Sequence, residues 1–164
     1  MVRTLTNQQT ILPGENTMTT RHIQLVQQTF EMILPLADTV AFLFYERFFA
    51  MQPEVRAFFP DDMTAHRQKL MATLAMLVRG LEQPAELVAY LRTLGQRHEG
   101  YHVQPAHYAG MNQALVITLA DCLGERFTPE MRQAWKESLA ILAAIMQGDP
   151  LPASANALFL GEMV

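Results

Sequence analysis

Prolines punctuate this chain at the places where helices begin or break. Pro84, Pro105 and Pro129 each stand ahead of a run with apolar residues at helical spacing. The first helical turn tolerates proline because the N–H it lacks has no intrahelical partner there. The three runs are expected to extend towards Gly100, to about Leu123-Gly124 and through Met146. Thr128-Pro129-Glu130 adds a cap and an acidic first turn to the last of them. Upstream, Thr19 or Thr20 can cap a helix carrying Ile23, Val26, Phe30 and Ile33, and Pro35 breaks or kinks it. Leu36 to Ala50 is apolar nearly all round, so it is expected to be largely buried. Pro53 opens a short turn ending near Phe58-Phe59-Pro60, and Asp61 or Asp62 caps a long helix reaching Arg79-Gly80. Six or seven helices, short connections, no βαβ pattern and no internal repeat make the expected class all-α.

The chain has 164 residues, 50% of them hydrophobic, which suits one domain with a core that needs no disulfides. Its formal net charge of -4 offers no general basic face, so nucleic acid is not an expected partner. The single cysteine, Cys122, cannot pair internally; it reads as a small buried apolar residue, and a reducing cytoplasm is the expected location. No stretch reaches the roughly 18 uninterrupted apolar residues of a membrane span, and no membrane association is expected. Residues 1–18 are polar, contain the loop signal Pro13-Gly14 and lack the apolar run of a secretory signal. They read as a flexible N-terminal extension, with Met18 as a candidate alternative start. Residues 19–148 read as the folded domain and 149–164 as a C-terminal tail, which begins where Gly148-Asp149-Pro150-Leu151-Pro152 ends any helix. Asn156 to Val164 is apolar enough to dock on the body or on a second copy, leaving monomer and homodimer both open.

Two histidines sit on apolar stripes. His66 falls between Met63 and Leu70 on a stripe that continues through Leu74, Leu77 and Leu81, and His98 follows Leu87, Leu91 and Leu94 at steps of 4, 3 and 4. Both imidazoles are therefore expected to face the interior. A lone inward histidine is ordinarily a hydrogen-bonded core residue. Two on successive helices, flanked by aromatics, suit a shared occupant such as haem, which needs an imidazole ligand and an apolar slot. A zinc site from His98, His102 and His107 is a further reading, weakened by Gly100, by Pro105 and by the lack of a well-placed carboxylate. His22 and His107 otherwise read as surface residues. Periodicity leaves these alternatives open.

Phe44-Tyr45-Glu46-Arg47-Phe48-Phe49, then Gln52-Pro53-Glu54-Val55-Arg56-Ala57-Phe58-Phe59, resembles the second and third helices of bacterial globins. His66-Arg67-Gln68-Lys69-Leu70-Met71 resembles the start of their distal helix. Leu94-Gly95-Gln96-Arg97-His98-Glu99-Gly100-Tyr101, followed by Val103-Gln104-Pro105-Ala106-His107-Tyr108, resembles their proximal segment, and Ala134-Trp135 matches their last helix. The resemblance spans roughly residues 20–148. It is nearest in pattern to flavohaemoglobin globin domains and to the Vitreoscilla-type and methanotroph single-domain globins. It implies a globin fold of six to seven helices around one haem b.

The resemblance also implies residue roles. His98 would be the proximal iron ligand, with Leu94, Val103 and Tyr108 around it. Phe59 would pack against the haem, Tyr45 would place its hydroxyl on the distal side, and Leu70 would be the apolar distal neighbour. His66 stands where relatives often carry glutamine, which raises coordination of iron from that side as in neuroglobin-like proteins. In flavohaemoglobins a tyrosine at the position of Tyr108 acts with a glutamate of the last helix; here the corresponding region reads Gln147-Gly148-Asp149-Pro150, without that glutamate. The implied function is reversible binding of O2, CO and NO, on which oxygen transport or NO removal can build. The chain is not expected to be primarily an enzyme, and with its end at Val164, NO dioxygenation or peroxidase-like turnover would use an external reductase. A haem-based gas or redox sensor, six-coordinate through His66, is the remaining alternative.

Overall fold

The computed structural model describes residues 18–150, so most of the expected N-terminal extension and C-terminal tail lies outside the described residues. Within them run six α-helices: α1 (Thr20–Ile33), α2 (Ala37–Met51), α3 (Thr64–Gly80), α4 (Pro84–Gly100), α5 (Pro105–Leu123) and α6 (Pro129–Met146). Short 3-10 turns occupy Leu34–Leu36, Pro53–Phe58 and Gly124–Arg126, and no strand occurs among the described residues. None of these helices is long and apolar enough to cross a membrane.

The helix starts follow from local chemistry. Thr19 Oγ1 accepts the His22 N–H at 3.2 Å while the Thr19 N–H points at His22 Nδ1 at 3.5 Å, a capping box with histidine in the third helical position. Gln104 and His107 repeat the arrangement at α5, with the Gln104 N–H donating to His107 Nδ1 at 3.0 Å. Thr128 Oγ1 accepts from the Met131 N–H at 3.2 Å to open α6. Before α3, Asp62 Oδ1 accepts the Thr64 N–H at 3.0 Å and the Thr64 hydroxyl at 2.7 Å, and these bonds hold its carboxyl below the usual range.

Two expectations need correction here. His22 and His107 are not surface residues: their side chains are only 19% and 11% exposed, and they lie 2.9 Å from Glu137 Oε2 and 3.7 Å from Glu54 Oε1. An imidazole in the third helical position folds back to meet a backbone N–H, which draws it onto the body. Met18, expected in the extension, is buried, with Ser138 Oγ of α6 3.9 Å from its sulfur. A long apolar side chain just before the cap packs inward with the helix it precedes.

The core joins Val26 and Phe30 of α1, Phe44 and Phe48 of α2, Leu119 of α5, and Trp135 and Leu142 of α6. Helix α1 lies on α6, α2 crosses α5, and α4 and α5 both rest on α6. The segment Leu36 to Ala50 is less buried than its composition suggests. Val40, Ala41, Phe44 and Phe48 are enclosed, but Tyr45 and Phe49 are half-buried and Phe42 is exposed. Only one stripe of α2 meets α5; the rest turns towards α3 and its approach. Helix α3 packs on α2 and α1, and it touches α4 sparingly. One close contact between α3 and α4 is at their joint, where a Cβ on Gly80 would stand 2.9 Å from Leu87 Cδ1.

Two glycines fix the helix crossings. A Cβ on Gly95 of α4 would lie 1.9 Å from the Met146 carbonyl oxygen of α6. A Cβ on Gly110 of α5 would lie 2.3 Å from Gln52 Oε1, and Gln52 is held by its Nε2 donating to the Ala106 carbonyl at 2.9 Å. Alanine at position 95 would gain about 1 kcal/mol of helix propensity. Overpacking against a backbone carbonyl that cannot rotate away costs about 1–3 kcal/mol or more, so the clash decides the sign. With the contact at 1.9 Å the upper end of that range applies, so Gly95→Ala is expected to lose about 2 kcal/mol of stability in urea unfolding, about 3 less about 1. Gly100→Ala, with no atom within 4 Å of its added Cβ, is expected to gain up to about 1 kcal/mol. Equal stability of the Gly95 variant and the wild type would refute the close crossing.

Candidate functional site

The site begins with one backbone hydrogen bond. His98 Nδ1 lies 2.8 Å from the Leu94 carbonyl oxygen one turn earlier on α4. A carbonyl only accepts, so Nδ1 carries a proton, and in the neutral imidazole it is Nε2 that keeps the lone pair. That tautomer is the one a metal-ligating histidine uses, with the far nitrogen anchored and the near one free.

Helix α4 ends immediately beyond this residue, and its ending shapes the same wall. The Val103 N–H returns to the His98 carbonyl at 3.2 Å and the His102 N–H to the Glu99 carbonyl at 2.9 Å. His102 takes φ 59°, the left-handed conformation at the position where such a helix end usually carries glycine. The reversal brings Val103 back beside the His98 turn. Tyr108, on the first turn of α5, is buried with its ring centroid 6.1 Å from that of His98 and tilted 30°. Burial pushes its hydroxyl pKa up, with Glu99 adding to the effect. Among the described residues Tyr108 supports His98 by ring packing, because the Nδ1 proton is already engaged by Leu94.

The second wall comes from α2, the turn after it and the start of α3. Tyr45 meets Phe59 edge-on at 5.5 Å between centroids, and Phe59 meets His66 edge-on at 5.2 Å. The Tyr45 hydroxyl donates to the His66 backbone carbonyl at a long 3.4 Å, so it is not tied to the imidazole. Burial pushes the Tyr45 pKa up to about 12, which keeps the hydroxyl a donor at neutral pH. His66 Nδ1 is enclosed and has no hydrogen-bond partner among the described residues. Leu70 follows one turn along α3, half-buried.

The expected residues thus form two groups: Tyr45, Phe59, His66 and Leu70 on one wall, Leu94, His98, Val103 and Tyr108 on the other. All but Tyr108 are half-buried, and Tyr108 is buried. The zinc alternative is not supported by the placement. His102 is exposed, His107 turns to Glu54 and to the Phe58 ring, and no three metal-binding side chains converge among the described residues. Cys122 is half-buried on α5, its thiol pKa pushed up by burial and then by Asp121.

Sequence reading missed Arg56 and Phe49. Arg56 donates one guanidinium nitrogen to the carbonyls of Phe59 and Pro60, both at 3.0 Å, and lies over the Phe49 ring at 5.1 Å. It clamps the turn that presents Phe59. The signal was an arginine three residues before that phenylalanine, a spacing that lets a long side chain reach carbonyls which a 3-10 turn leaves free.

A globin family model matches residues 43–146. The chain is 30% identical to a flavohemoprotein of Rhodopirellula baltica over 129 residues, covering 77% of this chain and 32% of that protein. Flavohemoproteins of Bacillus subtilis and Vibrio cholerae are 26% and 23% identical over 126 and 133 residues. These matches cover 74% and 78% of this chain, and 31% and 33% of those proteins. The chain spans about a third of the length of these relatives.

The left-handed His102 gives a test of how α4 ends. A side chain there costs roughly 1–2 kcal/mol that glycine avoids. His102→Gly is expected to stabilise the protein by about 1 kcal/mol in urea unfolding, once glycine's greater freedom in the unfolded chain is deducted. A loss of stability would show that the imidazole itself holds the reversal.

Proposed function

The chain belongs to the globin family, and from that premise we propose that it holds haem b between α3 and α4, with His98 as the proximal ligand, to bind O2, CO and NO reversibly. The observation that carries the reading is the His98–Leu94 bond, which leaves Nε2 as a free lone pair on an apolar wall. The residues fit the group: one wall offers an imidazole in the ligating tautomer, the other a hydroxyl donor and a second imidazole, and the lining between is apolar. The single Cys122, which cannot supply the paired thioether attachments of a Cys-x-x-Cys-His motif, supports the b type over covalently attached haem.

Ferrous haem would supply an open coordination position for a diatomic molecule. The protein's part is selection and retention. Tyr45 would turn its hydroxyl from the weak His66 carbonyl bond towards the ligand, a small loss because that bond is 3.4 Å long. His66 is held by its edge contact with Phe59 and has no side-chain hydrogen bond, so its ring is free to turn. It would serve as a second donor, or approach the iron itself and compete with external ligands. The neutral Leu94 carbonyl polarises His98 less than a carboxylate would, which favours holding a ligand over activating it. Similarity to flavohemoproteins supports a second reading, turnover of NO with electrons drawn from a flavin reductase.

His98→Ala is expected to lose stable haem binding, with recovery when imidazole is added to fill the cavity; an unchanged Soret spectrum and stoichiometry would refute the ligand assignment. Tyr45→Phe is expected to speed O2 release by roughly tenfold, the effect of losing one hydrogen bond of about 1.4 kcal/mol. Stopped-flow O2 displacement by CO measures it, and an unchanged rate would leave His66 as the donor. A five-coordinate high-spin spectrum of the reduced protein would exclude iron coordination by His66.

A further inference from the structure

A cleft of about 260 Å³ opens between α2, the turn after Pro53 and the first residues of α3. Tyr45 is the only one of the eight candidate-site residues that lines it. Phe42 and Phe49 form its aromatic wall with Tyr45, and Arg56 and Arg67 stand at its sides. We propose that this cleft is the port through which small neutral ligands reach Tyr45, and that Arg67 stacked on Phe42 is its gate. The inference rests on the haem reading above.

The two arginines are held very differently. Arg56 is pinned by its bonds to the Phe59 and Pro60 carbonyls and by the Phe49 ring, so its side of the cleft is a fixed wall. Arg67 lies over the Phe42 ring at 5.9 Å and makes no ion pair within 4 Å among the described residues; Asp62 acts on it only through the field. A cation–π contact at such an exposed site favours the closed arrangement by only about two- to fivefold. The Arg67 side is therefore the movable one. It also gives Phe42, 48% exposed on a helix otherwise rich in core residues, a partner and a purpose.

Charge indicates the passenger. Against the two guanidinium groups stand the carboxylates of Glu46, Asp61 and Asp62, so the lining gathers no positive field that would concentrate an anion. A neutral diatomic molecule crosses such a rim without desolvating a charge, and the aromatic wall then leads it to Tyr45.

A gate differs from a pocket residue in its kinetic signature. It changes association and dissociation by the same factor and leaves the equilibrium affinity unchanged. The test uses the haem-loaded full chain, with CO association after flash photolysis and CO release measured separately. Arg67→Ala is expected to raise both rates together by about threefold or more, since the closed fraction disappears. Phe42→Trp is expected to lower both, because a larger ring narrows the port and strengthens the stack. Both positions lie at the surface edge of the fold, so Soret intensity and melting temperature should match wild type. Rates unmoved in both variants, or one rate moving alone with a change in affinity, would overturn the port while leaving the haem reading intact. A wild-type chain that forms no CO complex would overturn both.

Discussion

The two helices that carry the candidate site touch each other only sparingly, and the site's geometry depends on each being held mainly by other helices. Helix α4 is drawn against α6 by Gly95, whose missing side chain lets the Met146 carbonyl approach. Helix α3 is held on the other side by α2 and α1. Their apolar stripes are thus committed largely to different neighbours, and the candidate residues on both are left half-buried. Half-buried apolar side chains hold hydrophobic free energy in reserve, about 25 cal/mol for each Å² that a bound group removes from water. A group that binds them only in the folded chain stabilises it.

On the α4 wall, two local backbone features set the geometry. The Leu94 carbonyl sets the tautomer of His98, and the left-handed turn at His102 ends the helix before it can run on past the site. Both devices are backbone-made and independent of distant side chains. Tyr108 adds a flat buried surface, not a proton acceptor. Under the proposed function, this anchors the proximal ligand on a neutral carbonyl, suited to a protein that holds a ligand and lets it go.

The opposite wall combines fixed and loosely held parts. Arg56 clamps the turn that carries Phe59, and the interlocking rings of Tyr45, Phe49 and Phe59 leave little room for movement. His66 and Arg67, neighbours at the start of α3, are held by weaker contacts: an edge-on ring and a cation over a ring. Ring contacts of this kind are worth about 0.5–1.5 kcal/mol, near thermal energy, whereas the paired hydrogen bonds of Arg56 exceed it. Under the proposed function, selective mobility at the distal side would follow from that difference.

The sequence by itself determined the helices and the candidate residues. Prolines and caps act within a few residues, so the starts of α4, α5 and α6 were readable from Pro84, Pro105 and Pro129. The three- and four-residue stripes that carry His66 and His98 were equally local, and the ordered motifs around them carried the family. What only the tertiary structure decided lies in contacts between distant segments. Leu36 to Ala50 read as largely buried, because composition does not tell which stripe of a helix will find a partner. His22 and His107 read as exposed, because backbone capping by an imidazole competes with water in a way that hydropathy does not register. The seating of α4 on α6 was the least readable feature. It depends on Gly95 meeting a carbonyl some fifty residues away, and a glycine's sequence position says nothing about which backbone will approach it.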